Sequence, residues 1–240
     1  MKIQYQIDTT FDFRSDTPSG KDPDVYSSTL RRYHKLLWSK PLHCGVLFEF
    51  SVTLSQAYMH HHSEIGEFWL SSDTVIPSFA REHKIAHIIE QIPEEELAYF
   101  QMIGYTIGSM MIFPANRIGR KMTINCERGF HPHIKDRFDL TVECTRRYYH
   151  GENSPLGETL ERYVDYLNLF QNFRGFMEFS LLQDMVNDDF STVKFFAPFN
   201  EFKTSPIPST AEAYSANKEL AVRFIKARNR RIFECCSKME

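Results

Sequence analysis

The 240-residue chain lacks an excess of either charge: 28 Lys and Arg stand against 31 Asp and Glu, a formal −3. That balance argues against a generally basic nucleic-acid coat and against a strongly acidic mimic, so any nucleic-acid site has to be a local patch. Long apolar runs are missing too. The longest uncharged apolar stretch, residues 97–113, contains Gln101, Gly104, Thr106, Gly108 and Ser109, short of the ~20 predominantly apolar residues of a membrane span. No membrane association is expected. The opening residues show no apolar run followed by small residues, so no secretory signal is expected and the protein reads as cytoplasmic. Five cysteines are an odd number with only Cys235 and Cys236 adjacent, which writes neither a disulfide framework nor a C-x-x-C zinc site. Neither G-x-x-x-x-G-K-[ST] nor G-x-G-x-x-G occurs, and G-x-S-x-G and H-E-x-x-H are absent as well. Kinase, P-loop NTPase, dinucleotide-fold, nucleophile-elbow and zincin readings are therefore poor.

What is present is a 42% hydrophobic, 14% aromatic composition with 21 Phe, enough to bury a mixed core in one domain near the upper size for a single unit. Residues 1–26 read as an irregular arm pinned by Phe11 and Phe13. Ser27 or Ser28 caps a short helix in which Leu30, Tyr33, His34, Leu37 and Trp38 fall at three- and four-residue steps. Alternation over residues 46–52 predicts a strand, and 56–62 with 67–71 predict two more joined at Gly66. Residues 77–91 predict a helix, and Pro93 with three glutamates opens another. Residues 103–113 and 122–124 read as a β-hairpin with a basic tip. Residues 136–150 read as a helix closed by Gly151, and Ser154-Pro155 starts a second that runs to about Phe170. A further helix is favoured over 176–186, and 193–196 offers a last strand. Ser209-Thr-Ala-Glu212 is a capping box for a C-terminal helix over 209–236. The expectation is a single α+β domain over residues 1–240, with mostly antiparallel strands and a helix-rich C-terminal half.

Two features carry candidate chemistry. Asp136, Asp139 and Glu143 fall at i, i+3 and i+7, so a helix sets all three along one face. Three hard oxygen donors there could serve catalysis or hold Mg²⁺ or Mn²⁺. The same spacing also suits a helix start followed by a Glu143–Arg147 pair. Second, residues 115–150 hold eight basic residues against four acids, a local +4. Arg117, Arg120, Lys121, Arg128, Arg146 and Arg147 are the candidate phosphate-ligand contacts, with Tyr148 and Tyr149 as stacking rings. Arg228-Asn-Arg230-Arg231 reads as a solvated turn of the last helix. His60 and His62 would share one strand face, although no third zinc ligand has matching spacing. His43 and Cys44 are neighbours whose side chains point apart on a strand.

Several strings occur in a familiar order: Tyr26-Ser-Ser-Thr-Leu-Arg-Arg-Tyr-His34, Tyr105-Thr-Ile-Gly-Ser-Met-Met-Ile-Phe113-Pro114, Thr123-Ile124-Asn125 with Arg128-Gly129, and Asp136-Arg-Phe-Asp-Leu140. Together they resemble an uncharacterised bacterial family, a domain of unknown function, over most of the chain. The resemblance implies no activity, catalytic residue or cofactor. From the residues alone, the expectation is an enzyme acting on a phosphorylated ligand, a nucleotide or nucleic acid. ADP-ribosyl transfer would use Arg31 or His34, Tyr58 and Glu143, and metal-assisted phosphodiester cleavage would use Asp136, Asp139 and Glu143. The alternative is a non-enzymatic module that binds a protein partner. A concave pocket gathering Arg117, Arg128 and Glu143 would favour the enzyme.

Overall fold

The computed structural model describes residues 7–51, 59–76 and 85–237. Residues 7–22 are irregular, whereas 23–26, read as part of the same arm, are helical, and 1–6 lie outside the described residues. Phe13 is fully buried, its N–H donates to the Tyr105 carbonyl at 3.1 Å, and its ring meets Tyr33 edge-on at 5.9 Å. A single turn, α1 (Pro23–Tyr26), leads into α2 (Ser28–Trp38), whose N-terminus is capped by the Ser27 hydroxyl accepting from the Leu30 N–H. Leu30, Tyr33, His34, Leu37 and Trp38 face inward, as their spacing predicts.

Two small antiparallel sheets follow. β1 (Lys40–Pro41) pairs with β2 (Leu47–Phe48), so the alternating run 46–52 gives only a two-residue rung and a bridge from Ser51 to His60. The second sheet has the order β3 (Met59–Ser63), β4 (Gly66–Thr74), β5 (Met110–Pro114), all antiparallel. Between β4 and β5 lie α3 (Ala86–Ile89) and α4 (Glu94–Gly104), the latter opened by Pro93. The N-terminal parts of the predicted 56–62 strand and 77–91 helix lie outside the described residues.

The expected hairpin over 103–124 does not form. Residues 103–104 end α4, and Ile107–Ser109 make a tight helical turn. β5 pairs with β4 over Leu70↔Pro114 to Thr74↔Met110. The predicted second arm is instead the start of α5 (Ile124–Phe130), where the Thr123 hydroxyl accepts from the Cys126 N–H. That cap makes the helix the better local solution, and every residue of β5 is buried, which an exposed hairpin would not achieve.

The C-terminal half is helical: α6 (Phe138–Tyr149), α7 (Gly157–Glu161), α8 (Val164–Asn168), α9 (Phe173–Phe179) and α10 (Ala211–Ser237). Gly151 follows α6 at φ +69, the left-handed position a Gly occupies without strain. The single helix expected over 155–170 is two short ones, α7 and α8. The Asn172 side chain caps α9 earlier than the 176–186 pattern indicates. Residues 193–196 add only a bridge between Val186 and Val193.

One continuous core runs from Ile7 to Cys236, and a smaller cluster of Ile85, Ile88, Ile92 and Tyr214 ties α3 to the start of α10. The inward stripe of α10 includes polar groups. Asn229 accepts the Gly108 N–H at 2.7 Å and donates to Thr106 Oγ1. A side chain on Gly108 would begin 2.5 Å from Asn229 Oδ1 and 2.6 Å from the Ile225 carbonyl, so the turn at 107–109 needs Gly for close approach. Arg228 is fully buried and Arg231 pairs with Asp184 at 2.9 Å, so of the expected solvated cluster only Arg230 is exposed. Arg228 lies on the apolar stripe between Ile225 and Ile232, and helical geometry carries it inward with them.

Candidate anionic-ligand site

The helix predicted to carry three carboxylates on one face exists as α6, yet the three do not converge. Asp136 precedes the helix at φ +66. Its Oδ1 lies 3.0 Å from Arg128 Nη1 without hydrogen-bond alignment, and its main-chain carbonyl accepts from Arg128 Nη2 at 2.8 Å. Asp139 is fully buried, where Oδ1 accepts from Arg137 Nε at 3.1 Å and Oδ2 accepts from Arg137 Nη2 and from the Phe196 N–H at 2.8 Å. Glu143 accepts from Arg146 Nε at 2.9 Å and Arg147 Nε at 2.7 Å. Each carboxylate thus has its own arginine. Among the described residues no group of three or more His, Cys, Asp or Glu side chains is arranged to hold a metal ion.

The six candidate phosphate contacts divide in two. Arg128, Arg146 and Arg147 are ion-paired to carboxylates of the fold. Arg128 is fully buried, with Nη1 3.0 Å from Asp73 Oδ2, Nε donating to Thr141, and the guanidinium 5.5 Å from the Phe113 ring centroid. This contact packs α5 on β5. Arg146 adds Glu152 to its Glu143 pair, and Arg147 adds Glu201, so α6 is laced to two loops. These carboxylates hold the Arg146 and Arg147 guanidinium groups above their ordinary pKa.

Arg117, Arg120 and Lys121 are different. All three are exposed on the loop 115–123 between β5 and α5, and no ion pair to an acidic side chain is recorded for any of them among the described residues. The loop has a fixed frame: Tyr163 donates to the Asn116 carbonyl at 2.8 Å and Arg162 to the Met122 carbonyl at 2.9 Å. Gly119 and Arg120 both take positive φ, which turns the chain between the two tethers. Ile118 and Met122 are exposed beside the cations. The geometry is a short cationic turn with apolar shoulders, held at both ends by α7–α8 side chains.

The other functional sets are dispersed. Arg31 and His34 are buried in α2, with Arg31 Nε donating to the Asp24 carbonyl, and Glu143 is ion-paired on α6; Tyr58 lies outside the described residues. His60 does share a face with His62, but it stacks on Trp69 at 4.0 Å and contacts Glu67 at 2.8 Å. A cleft of about 300 Å³ between α4 and α10, lined by Tyr99, Phe100, Val222 and the Glu96–Lys218 pair, contains none of the expected site residues.

Two acids that the sequence did not single out are perturbed. Asp24 accepts from the Ser72 N–H at 2.7 Å and from the Ser72 hydroxyl, on the side of β4 where the β3 register has ended at Leu70. It satisfies an otherwise open strand edge, and burial pushes its carboxyl up to about 7. Burial also raises Asp73, against the pull of Arg128. Neither position has a local signal, because each depends on an element far away in sequence.

The architecture is that of an α+β protein with a tethered basic loop beside its sheet. The chain belongs to a family of unknown function, DUF6994, whose model matches residues 7–232. No curated protein and no solved structure matches it. Among the described residues no helix is long and apolar enough to cross a membrane.

Proposed function

We propose that the protein, acting as one unit in the cytoplasm, binds a phosphate-bearing ligand, a nucleotide or nucleic acid, through Arg117, Arg120 and Lys121. The observation that carries this reading is the contrast among the six candidate contacts of the basic segment: three are neutralised by carboxylates inside the fold, and three are left to solvent on one tethered loop. A paired surface cation has little left to offer a phosphate, whereas unpaired ones release counterions on binding. All five cysteines are free thiols, in keeping with a reducing compartment.

Binding is favoured over turnover. Arg128 and Glu143 are engaged in ion pairs of their own, and Asp136, Asp139 and Glu143 each lie against an arginine. ADP-ribosyl transfer and metal-assisted phosphodiester cleavage therefore remain extensions of the binding reading. The exposed Ile118 and Met122 favour a second reading, a protein partner docked on the same loop.

The test is a thermal-shift panel with NAD, nucleotides, divalent ions and short RNA and DNA, followed by anisotropy with a labelled single-stranded oligonucleotide. Three phosphate contacts predict a slope of about −2 in log K against log salt. Reversing Arg117, Arg120 and Lys121 to Glu should abolish binding while leaving the unfolding midpoint unchanged. Undiminished binding by that variant, or no binding of any phosphate ligand by the natural chain, defeats the proposal.

A further inference from the structure

The core between α2 and α10 holds a positive charge with no carboxylate paired to it among the described residues. The fully buried Arg228 donates through Nη1 to the Gly108 and Met110 carbonyls and through Nη2 to the Ser180 carbonyl. Its Nε–H has no partner among the described residues. Asp184, the acid whose field reaches it, is already held by Arg231 at 2.9 and 3.0 Å.

His34 completes the arrangement. Its Nδ1 is 2.9 Å from Trp38 Nε1. An indole N–H only donates, so Nδ1 accepts and the ring proton sits on Nε2. That Nε2–H is likewise buried and unpartnered. Both residues meet Trp38: His34 accepts the indole N–H, and the Arg228 guanidinium carbon lies 5.8 Å from the Trp38 ring centroid. Lys40 extends the same positive region, with Nζ 5.2 Å from that centroid and donating to the Phe179 carbonyl. Burial and the Arg228 charge hold the His34 imidazole neutral, its pKa down at about 3.

We propose that Arg228 and His34 bind a small monatomic anion, a halide such as chloride, between α2 and α10. Two buried, unpartnered donors beside a charge that meets only carbonyls among the described residues call for a negatively charged acceptor, and a water molecule would leave the charge unmatched. Burial of both side chains limits the occupant to an ion without substituents. The anion would act as a clasp joining α10 to α2 and to the turn at 107–109.

Crystals of the natural protein soaked in sodium bromide, measured at the bromine absorption edge, should show an anomalous peak in contact with Arg228 Nε and His34 Nε2. Density without anomalous signal there overturns the proposal. In solution, the thermal midpoint in chloride or bromide is compared with gluconate at equal ionic strength. The halide should raise it by about 5 °C at a hundredfold excess over its dissociation constant, and His34→Phe, referenced to its own midpoint in gluconate, should lose most of that increment. Equal midpoints in halide and gluconate for the natural chain, or an unchanged increment in His34→Phe, also overturn it.

Discussion

Asp139→Ala separates a structural role from a catalytic one at a residue that a helical spacing argument places in an acidic site. Asp139 is fully buried, and its carboxylate takes two bonds from Arg137 and one from the Phe196 N–H. Among the described residues, truncation leaves the Arg137 guanidinium in the core with a 3.4 Å contact to the Ala197 carbonyl, and it orphans the buried Phe196 amide. Breaking a buried ion pair from one side costs about 3–5 kcal/mol, and an orphaned amide about 1–3 kcal/mol. The two losses share one group and are not independent, so about 4 kcal/mol is the expected sum. For a chain of this length that is a fall in midpoint of roughly 8–16 °C. Urea unfolding followed by far-UV circular dichroism at 25 °C measures it, with the slope against urea unchanged. The double variant Arg137→Met, Asp139→Leu should recover at least half of the loss, because an apolar pair removes both buried charges. A loss below about 1 kcal/mol would refute the argument, and so would intact stability accompanied by lost ligand binding, which would return Asp139 to the functional set.

Glu143→Ala should cost less, about 1–2 kcal/mol, since Arg146 and Arg147 are partly solvated and keep Glu152 and Glu201 as partners; a midpoint unchanged within error would overturn that structural assignment. Asp24 makes stability depend on pH in a stated direction. Its folded pKa, about 7, lies above the unfolded value near 3.8, so the folded state binds more protons across that interval and stability falls as pH rises from about 4 to 7. Asp24→Asn should flatten that part of the stability profile, and its advantage over the natural chain should be larger at pH 8 than at pH 4. An unchanged profile in the variant would show that the dependence has another source.

The helices are the part of this fold most legible along the chain. α2 is written in Ser27 and the steps from Leu30 to Leu37, α6 in residues 136–150, and α10 in a long run of helix formers, although its cap is the Thr210 hydroxyl, which accepts the Ala213 N–H, and not Ser209 as the box pattern predicts. Those signals are local, because a helix satisfies its backbone within four residues and shows its buried face at intervals of three or four. The irregular arm and its Phe13 anchor were legible for a similar reason. The partner of β5 was not: it is β4, reached across two helices, and a short apolar run looks the same whichever strand it pairs with.

The sequence by itself determined the α+β class, the family, the absence of a charge excess and the concentration of cations in residues 115–150. Tertiary structure alone decided which of those cations are available. Arg128 meets Asp73 across 55 positions and Arg147 meets Glu201 across 54, while the backbone N–H that completes the Asp139 site comes from Phe196, 57 positions on. Spacing along a helix shows which residues share a face, but ion pairing depends on what the rest of the chain folds against that face. For the same reason Arg228 reads as a solvated base in a basic cluster, and in the folded protein it is a buried cation in contact with carbonyls.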